Sequence, residues 1–132
     1  MRAASTELDR RSQLLRGLLD MCLLSLLATE PAYGYEVTRR LADHGLEASD
    51  GSVYPLLGRL QRQRLIESFA VASESGPPRK YYRTTAAGQD RLRSWAEHWR
   101  GTAKAVEALL GTTTGPSAID HSTSDEESTW TP

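Results

Sequence analysis

The chain has 132 residues, of which 39% are hydrophobic and 25% are charged, so we expect one folded domain with a modest core. Its single cysteine, Cys22, excludes an intramolecular disulfide and any zinc site built from several cysteines. The sequence contains no nucleophile motif, no spaced metal ligands and no glycine-rich phosphate loop. We therefore expect neither an enzyme, nor a metal site, nor a cofactor.

The formal net charge of −1 hides an uneven distribution. Residues 112–132 carry four acids and no Lys or Arg, and removing those acids changes the formal net charge from −1 to +3. Residues 49–83 contain twice as many basic side chains as acidic ones. Because salt screens charges beyond about 10 Å, this local excess of positive charge decides whether phosphates are attracted.

The apolar run from Leu14 to Ala28 is too short to span a bilayer and includes Arg16 and Asp20, so we expect a cytoplasmic location without membrane contact. Leucines cover more than one face of this run, which predicts a buried central helix. Cys22 lies within it as a small buried hydrophobe or, alternatively, as a redox-sensing thiol.

Two further helices are predicted in the first half of the chain. The second runs from Tyr33 to Asp43 and ends at Gly45. The third follows a cap at Ser49 or Ser52, and its start is left open as a tighter or later turn because Pro55 is awkward inside a helix. Its apolar stripe has helical spacing and consists of Val53, Leu56, Leu57 and Leu60. The opposite face is small and basic, with Gly51, Pro55, Gly58 and Arg62 flanked by Tyr54 and Arg59.

A hairpin and a long helix complete the chain. The hairpin strands are predicted over residues 66–72 and 79–84, with a turn over residues 73–78. Thr85 can cap a last helix that ends at Gly111. Along that helix a seam recurs at the spacing of a coiled coil, made of Leu92, Trp95, Trp99, Thr102, Val106 and Leu109. Since one short chain cannot bury such a seam, we expect a second copy of the chain.

These elements predict a mainly α fold with a small β-hairpin, namely a winged helix-turn-helix with a C-terminal dimerisation helix. We expect a DNA-binding domain with an N-terminal arm over residues 1–84, the dimerisation helix over 85–111 and a disordered acidic tail over 112–132. The third helix is narrow enough for a major groove, and cations on the hairpin would reach nearby phosphates or the minor groove. Double-stranded DNA is thus the expected partner.

Four motifs, in this order and spacing, resemble the PadR family of transcriptional regulators. They are the segment 32–36 (Ala-Tyr-Gly-Tyr-Glu), the segment 51–57 (Gly-Ser-Val-Tyr-Pro-Leu-Leu) with Arg59-Leu60, the segment 76–82 (Gly-Pro-Pro-Arg-Lys-Tyr-Tyr), and Thr85 with Gly88. The resemblance extends from Leu14 to Leu110. It implies a homodimeric winged-helix repressor of the short subfamily, which has a single C-terminal helix.

The resemblance also assigns roles to individual residues. Tyr35 would meet a phosphate, and Ser52 and Tyr54 would lie in the groove with Arg59 and Arg62 nearby. The wing is the predicted β-hairpin. Arg79 and Lys80 would be its cations, whereas Tyr81 and Tyr82 would stabilise it. Gly34 would allow close packing between helices. The last helix would form the dimer, which would then read an inverted repeat.

Two alternatives remain at this point. Trp99 occupies a position where some similar proteins stack a flat aromatic effector, and Trp95 stands one turn before it. The alternative is that both tryptophans serve dimer packing alone, since tryptophan is a good interface anchor. The fold could also be a protein-protein interaction module without DNA binding, although its cations argue against that use.

Overall fold

The structure, a computed structural model, describes residues 10–114, with side chains as far as Gly111. It consists mainly of helices with one small antiparallel sheet, which confirms the predicted fold class. The elements in chain order are α1 (Arg10–Arg16), α2 (Leu19–Thr29), β1 (Ala32–Tyr33), α3 (Gly34–Asp43), α4 (Asp50–Arg62), β2 (Ile66–Ser73), β3 (Gly76–Thr84) and α5 (Ala86–Thr114). The predicted N-terminal arm, apart from α1, and most of the predicted acidic tail lie outside the described residues.

The second helix, α2, is the centre of the core, as the leucine pattern predicted. Leu23, Leu24 and Leu27 are almost completely buried. The predicted single helix is in fact divided: α1 and α2 meet at an angle of 59° around Gly17. Glycine weakens a helix interior by about 1 kcal/mol relative to alanine, and here it stands at the break. Within the described residues, no single helix has the length and apolar content of a membrane span.

The helices α3 and α4 each end in a hydrogen-bonded turn of the same type. After α3, the Leu46 amide donates to the Leu41 carbonyl and Gly45 has a left-handed φ of 80°. After α4, the Leu65 amide donates to the Leu60 carbonyl, and Arg64 adopts the left-handed conformation with φ 64°. Glycine marked the first turn in the sequence, and nothing comparable marked the second.

The hairpin of β2 and β3 is joined by β1, in the order β1-β3-β2. The two-residue strand β1 was not predicted. The turn is shorter than predicted, because Pro77 and Pro78 belong to β3 instead of the loop. The register shifts beside them, since two residues of β3 stand opposite Ala72 alone. This bulge lies beyond the short β1, where prolines need not donate hydrogen bonds to a third strand.

The last helix starts at a well-defined cap. The Thr85 hydroxyl accepts the Gly88 amide (3.0 Å), and the Thr85 amide donates to the Leu65 carbonyl (3.0 Å). Gly88 packs so closely that an added Cβ would lie 2.0 Å from the carbonyl oxygen of Leu65. The prediction that Gly111 ends this helix is wrong, because α5 continues to Thr114. A glycine lowers helix stability without forbidding the helix.

The chain divides into two compact units, which we call the body (residues 10–95) and the distal helix (residues 96–114). The core belongs to the body and also receives partly buried residues, among them Leu92 and Trp95 of α5. In the body, burial and then the carboxylate of Asp20 raise the pKa of the Cys22 thiol. A raised pKa keeps the thiol protonated, which favours the interpretation of Cys22 as a small hydrophobe over a reactive thiol.

Candidate nucleic-acid interface

The helix α4 has one buried and one exposed face. Ser49 caps it, because its hydroxyl oxygen accepts the amide of Ser52 at 3.2 Å, which settles the choice between the two serines. The helix begins at Asp50 and passes through Pro55, whose missing N–H leaves the exposed Gly51 carbonyl without its helical partner. Its core side chains are Val53, Leu57 and Leu60. Its exposed residues include Ser52, Tyr54, Pro55, Arg59 and Arg62.

Tyr54 links this exposed face to the start of α3. Its ring lies against Gly34, where an added Cβ would be 2.4 Å from the Tyr54 Cε1 atom. Gly34 therefore allows a close contact between α3 and α4, as the family resemblance implied. Tyr54 itself is still 46% exposed. Partial burial, followed by the nearby Asp50 and Tyr82, raises the pKa of the Tyr54 phenol. The hydroxyl thus stays protonated at neutral pH and can donate a hydrogen bond.

The two arginines of α4 differ in their surroundings. The Arg59 guanidinium lies 3.7 Å from the carboxylate of Asp20 on α2, whereas Arg62 has no ion pair in the part of the chain that the structure describes. Together with Ser52, both border an open groove of about 610 Å³ that lies between α4 on one side and α1 with the first residue of α2 on the other. An exposed ion pair contributes at most about 1 kcal/mol, so a phosphate could displace Asp20 from Arg59.

The cations of the wing lie on opposite faces of β3. The Arg79 guanidinium is 4.7 Å from the ring centroid of Tyr33, and the Lys80 ammonium is 5.5 Å from that of Tyr82. Tyr82 is largely buried and belongs to the core, so the Lys80 ammonium lies near a ring that packs into the body.

A row of four rings crosses the outer face of the sheet. The ring of Phe69 stacks on Tyr81 (5.9 Å between centroids), Tyr81 meets Tyr33 (5.4 Å), and Tyr33 stacks on Tyr35 (6.4 Å). Tyr35, at the start of α3, is 56% exposed. Both Tyr81 and Tyr82 thus contribute to the packing of the wing.

The basic side chains fall into two groups. Those with carboxylate partners are Arg40 (3.1 Å from Glu30), Arg83 (2.7 Å from Glu67), Arg59 and, on α5, Arg93. Those without a carboxylate partner within residues 10–111 include Arg39, Arg62, Arg79 and Lys80. The sequence interpretation overlooked Arg39, although its position one turn after Tyr35 could have indicated that both side chains share a face.

The predicted dimer and effector residues are divided between the two units. In the body, Leu92 and Trp95 pack partly against the core, and the Arg91 guanidinium lies 5.8 Å from the Trp95 ring centroid. In the distal helix, Trp99, Val106 and Leu109 are 42%, 45% and 69% exposed. The first two residues of the predicted seam thus already have apolar contacts within their own chain.

Among residues 10–111, no group of three or more His, Cys, Asp or Glu side chains is arranged to hold a metal ion. The described residues also contain no buried side-chain nitrogen or oxygen atom that lacks a hydrogen-bond partner.

Comparison with known proteins identifies relatives of this arrangement. The model of the PadR-like family of transcriptional regulators matches residues 23–94. A transcriptional regulator of Mycobacterium tuberculosis is 32% identical over 96 residues, which cover 73% of this chain and 86% of the relative. Among solved structures, a PadR family regulator of Eggerthella lenta is 39% identical with a TM-score of 0.73, covering 87% of this chain and 100% of the other. A PadR-like regulator of Bacillus cereus is 40% identical with a TM-score of 0.70, covering 80% of this chain and 100% of the other.

Proposed function

Because the chain belongs to the PadR-like family of transcriptional regulators, which are not enzymes, we propose that it is a homodimeric repressor that binds an inverted-repeat operator and is released by a small aromatic effector. The observation that carries the DNA-binding part is a set of cations without a carboxylate partner among residues 10–111, namely Arg62 on the exposed face of α4 and Arg79 and Lys80 on β3. Cations without carboxylate partners can replace the counterions of DNA phosphates.

In this proposal α4 enters the major groove of DNA, and the wing contacts the neighbouring phosphate backbone of the duplex. Ser52 and Tyr54 present hydroxyls from the exposed face of α4, and Arg62 supplies a charge at its far end. Arg59 joins them when a phosphate takes the place of Asp20. Arg79 and Lys80 on the wing and Tyr35 at the start of α3 contact phosphates without reading bases.

Two copies are required for an inverted repeat, and the distal helix supplies the surface. Trp99, Val106 and Leu109 expose apolar area on one side of that helix. A pair of such helices buries these side chains as in a coiled coil. Paired α4 helices then read half-sites about 34 Å apart, one turn of DNA. Leu92 and Trp95 of the body, which are partly covered within their own chain, are the other two residues that we assign to the dimer interface.

The effector part of the proposal depends on Trp99. Its ring is 42% exposed and offers a flat aromatic face, which favours planar aromatic molecules. Trp95, in the body, is the second tryptophan that we assign to effector binding, and its ring is covered in part by Arg91 and the core. Titration of the Trp99→Leu variant and the wild type with planar aromatic compounds tests this, with fluorescence and operator release measured together. Fluorescence quenching without operator release would leave a binding site without a regulatory role.

The DNA-binding part is tested by a gel shift with the region upstream of the protein's own gene, over a series of salt concentrations. We expect Tyr54→Phe, which keeps the ring against Gly34, to weaken specific binding by about 1 kcal/mol through loss of the hydroxyl. Arg79→Ala with Lys80→Ala should weaken binding to all sequences and reduce the salt slope by about four units, two for each protomer of the dimer. Unchanged affinity of the double variant at physiological salt would contradict the role of the wing.

A protein-protein interaction module without DNA binding is the second candidate. The aromatic row on the outer face of the sheet favours it, since clustered aromatic side chains are typical of protein interfaces. A purified dimer that ignores duplex DNA even in dilute buffer would support this function over the first.

A further inference from the structure

We propose that Arg39 and Arg79, seated at the two ends of the Tyr33-Tyr35 stack, form a second phosphate-binding surface that holds the DNA backbone outside the groove read by α4. We call these four residues the flank. The inference rests on the proposed DNA binding and adds to it Arg39, which neither the sequence motifs nor the comparisons indicate.

The geometry of the flank is a short pile of flat groups. The two tyrosine rings stack with an interplanar angle of 27° and centroids 6.4 Å apart. The Arg39 guanidinium lies 5.8 Å from the Tyr35 centroid, and the Arg79 guanidinium lies 4.7 Å from the Tyr33 centroid. Each charge therefore rests against an aromatic surface, which limits the rotamers that a long side chain can adopt.

Such stacking leaves the N–H groups of a guanidinium available at its edge. Neither the Arg39 nor the Arg79 side chain has a hydrogen bond or ion pair with any other residue in the described part of the chain. Arg40, the next residue, is the opposite case: it donates to the Glu30 carboxylate at 3.1 Å and to the Glu30 carbonyl at 3.3 Å. Arg40 is therefore bound within the fold, whereas Arg39 lies against Tyr35 without a carboxylate partner among the described residues.

The chemistry of the flank selects its ligand. Two fixed guanidinium groups without a nearby carboxylate partner fit anionic oxygens, and planar N–H pairs match phosphate in a bidentate manner. A phosphodiester chain supplies such oxygens repeatedly. The flank would contribute affinity that is independent of base sequence.

Contacts through Tyr54 connect the flank with α4. Gly34, against which the Tyr54 ring packs, lies in the chain between Tyr33 and Tyr35. The groove-reading face and the flank are therefore neighbours around the first turn of α3. A duplex that lies on α4 would pass its backbone over this turn, between Arg39 and the wing.

The test compares Arg39→Gln with Arg93→Gln in the full-length protein. Both variants remove one positive charge from an exposed arginine, but Arg93 lies on α5 next to Asp90, away from the flank. Binding of operator and of unrelated duplex is measured by fluorescence anisotropy from 50 to 200 mM salt, with urea unfolding as the check on folding. We expect Arg39→Gln to weaken both duplexes about tenfold and to reduce the salt slope by about two units, one for each protomer of the dimer. Arg93→Gln should leave the slope unchanged.

A second variant separates charge from stacking. Arg39→Lys keeps the charge but loses the planar, bidentate edge, so we expect the wild-type salt slope with an affinity between those of wild type and Arg39→Gln. If Arg39→Gln behaved like Arg93→Gln while the Arg79→Ala and Lys80→Ala double variant lost affinity, the flank would be refuted and the DNA-binding function would stand. If the wild-type protein bound no duplex, the proposed function itself would fall.

Discussion

The body and the distal helix use their apolar side chains in opposite ways. In the body, nine large side chains of the core are less than 2% exposed, and they come from every helix between α2 and α4 and from β2. In the distal helix, Trp99, Val106 and Leu109 are each more than 40% exposed. A buried side chain of this size stabilises a fold by about 1.5–3 kcal/mol, so the same residue types stabilise only the body within one chain.

This difference distinguishes residues that stabilise the fold of a single chain from residues that are available for the association of two chains. The body has its own core, a helix cap at Thr85 and a sheet whose strands are paired residue by residue. A helix segment with an exposed apolar side gains little stability alone, because most helix stability in proteins comes from packing. The comparison predicts that substitutions in the two units have separable effects, on assembly in one and on unfolding in the other.

The largest expected effect is on assembly. We expect Val106→Glu combined with Leu109→Glu to raise the dissociation constant of the homodimer about a thousandfold, near 4 kcal/mol, because four apolar side chains per dimer are lost and charges take their place. Sedimentation equilibrium measures the change. The body should remain folded, with a circular dichroism spectrum that loses only part of its helical signal.

Lys104→Glu is the control for that experiment. It lies on the same helix but away from the side formed by Trp99, Val106 and Leu109, so it should leave the dimer intact. Equal loss of the dimer in both variants would mean that charge alone, and not the apolar side, governs assembly.

The next effect concerns the stability of the body. We expect Gly88→Ala to lower the free energy of unfolding by about 3 kcal/mol, because the new methyl group would lie 2.0 Å from the Leu65 carbonyl oxygen and 2.7 Å from the Thr84 Cγ2 atom. A backbone carbonyl held by two contacts from Thr85 cannot move aside easily. Urea unfolding gives the value, and an unchanged midpoint would contradict the close packing of α5 on the end of α4.

Much of the fold followed from local patterns in the sequence. The apolar stripe of α4, the left-handed Gly45 and the cap at Thr85 all express short-range preferences that one segment decides by itself. The exposed position of Tyr54 followed from the periodicity of α4, and that of Arg79 and Lys80 from the predicted hairpin, whereas Tyr35 was indicated only by the family motifs.

Other features depend on distant partners and could not be predicted in this way. The strand β1 exists because Ala32 and Tyr33 pair with β3, almost fifty residues away in the chain. The contact between Arg59 and Asp20 and the aromatic row need the tertiary structure. The sequence also could not predict that the apolar seam divides after Trp95. Its spacing is the same for residues that pack on the core of their own chain and for residues that stay exposed.

The smallest expected effect is at a glycine in the distal helix. An added Cβ at Gly101 would meet no atom within 4 Å, and the residue lies away from the apolar side. Gly101→Ala should therefore stabilise the helix by about 0.5–1 kcal/mol, in contrast to Gly88→Ala. Thermal unfolding at one fixed protein concentration measures the gain, and sedimentation tests whether the dimer is unaffected. A weaker dimer would show that the second copy approaches the backbone at Gly101, so that the interface would extend beyond the side formed by Trp99, Val106 and Leu109.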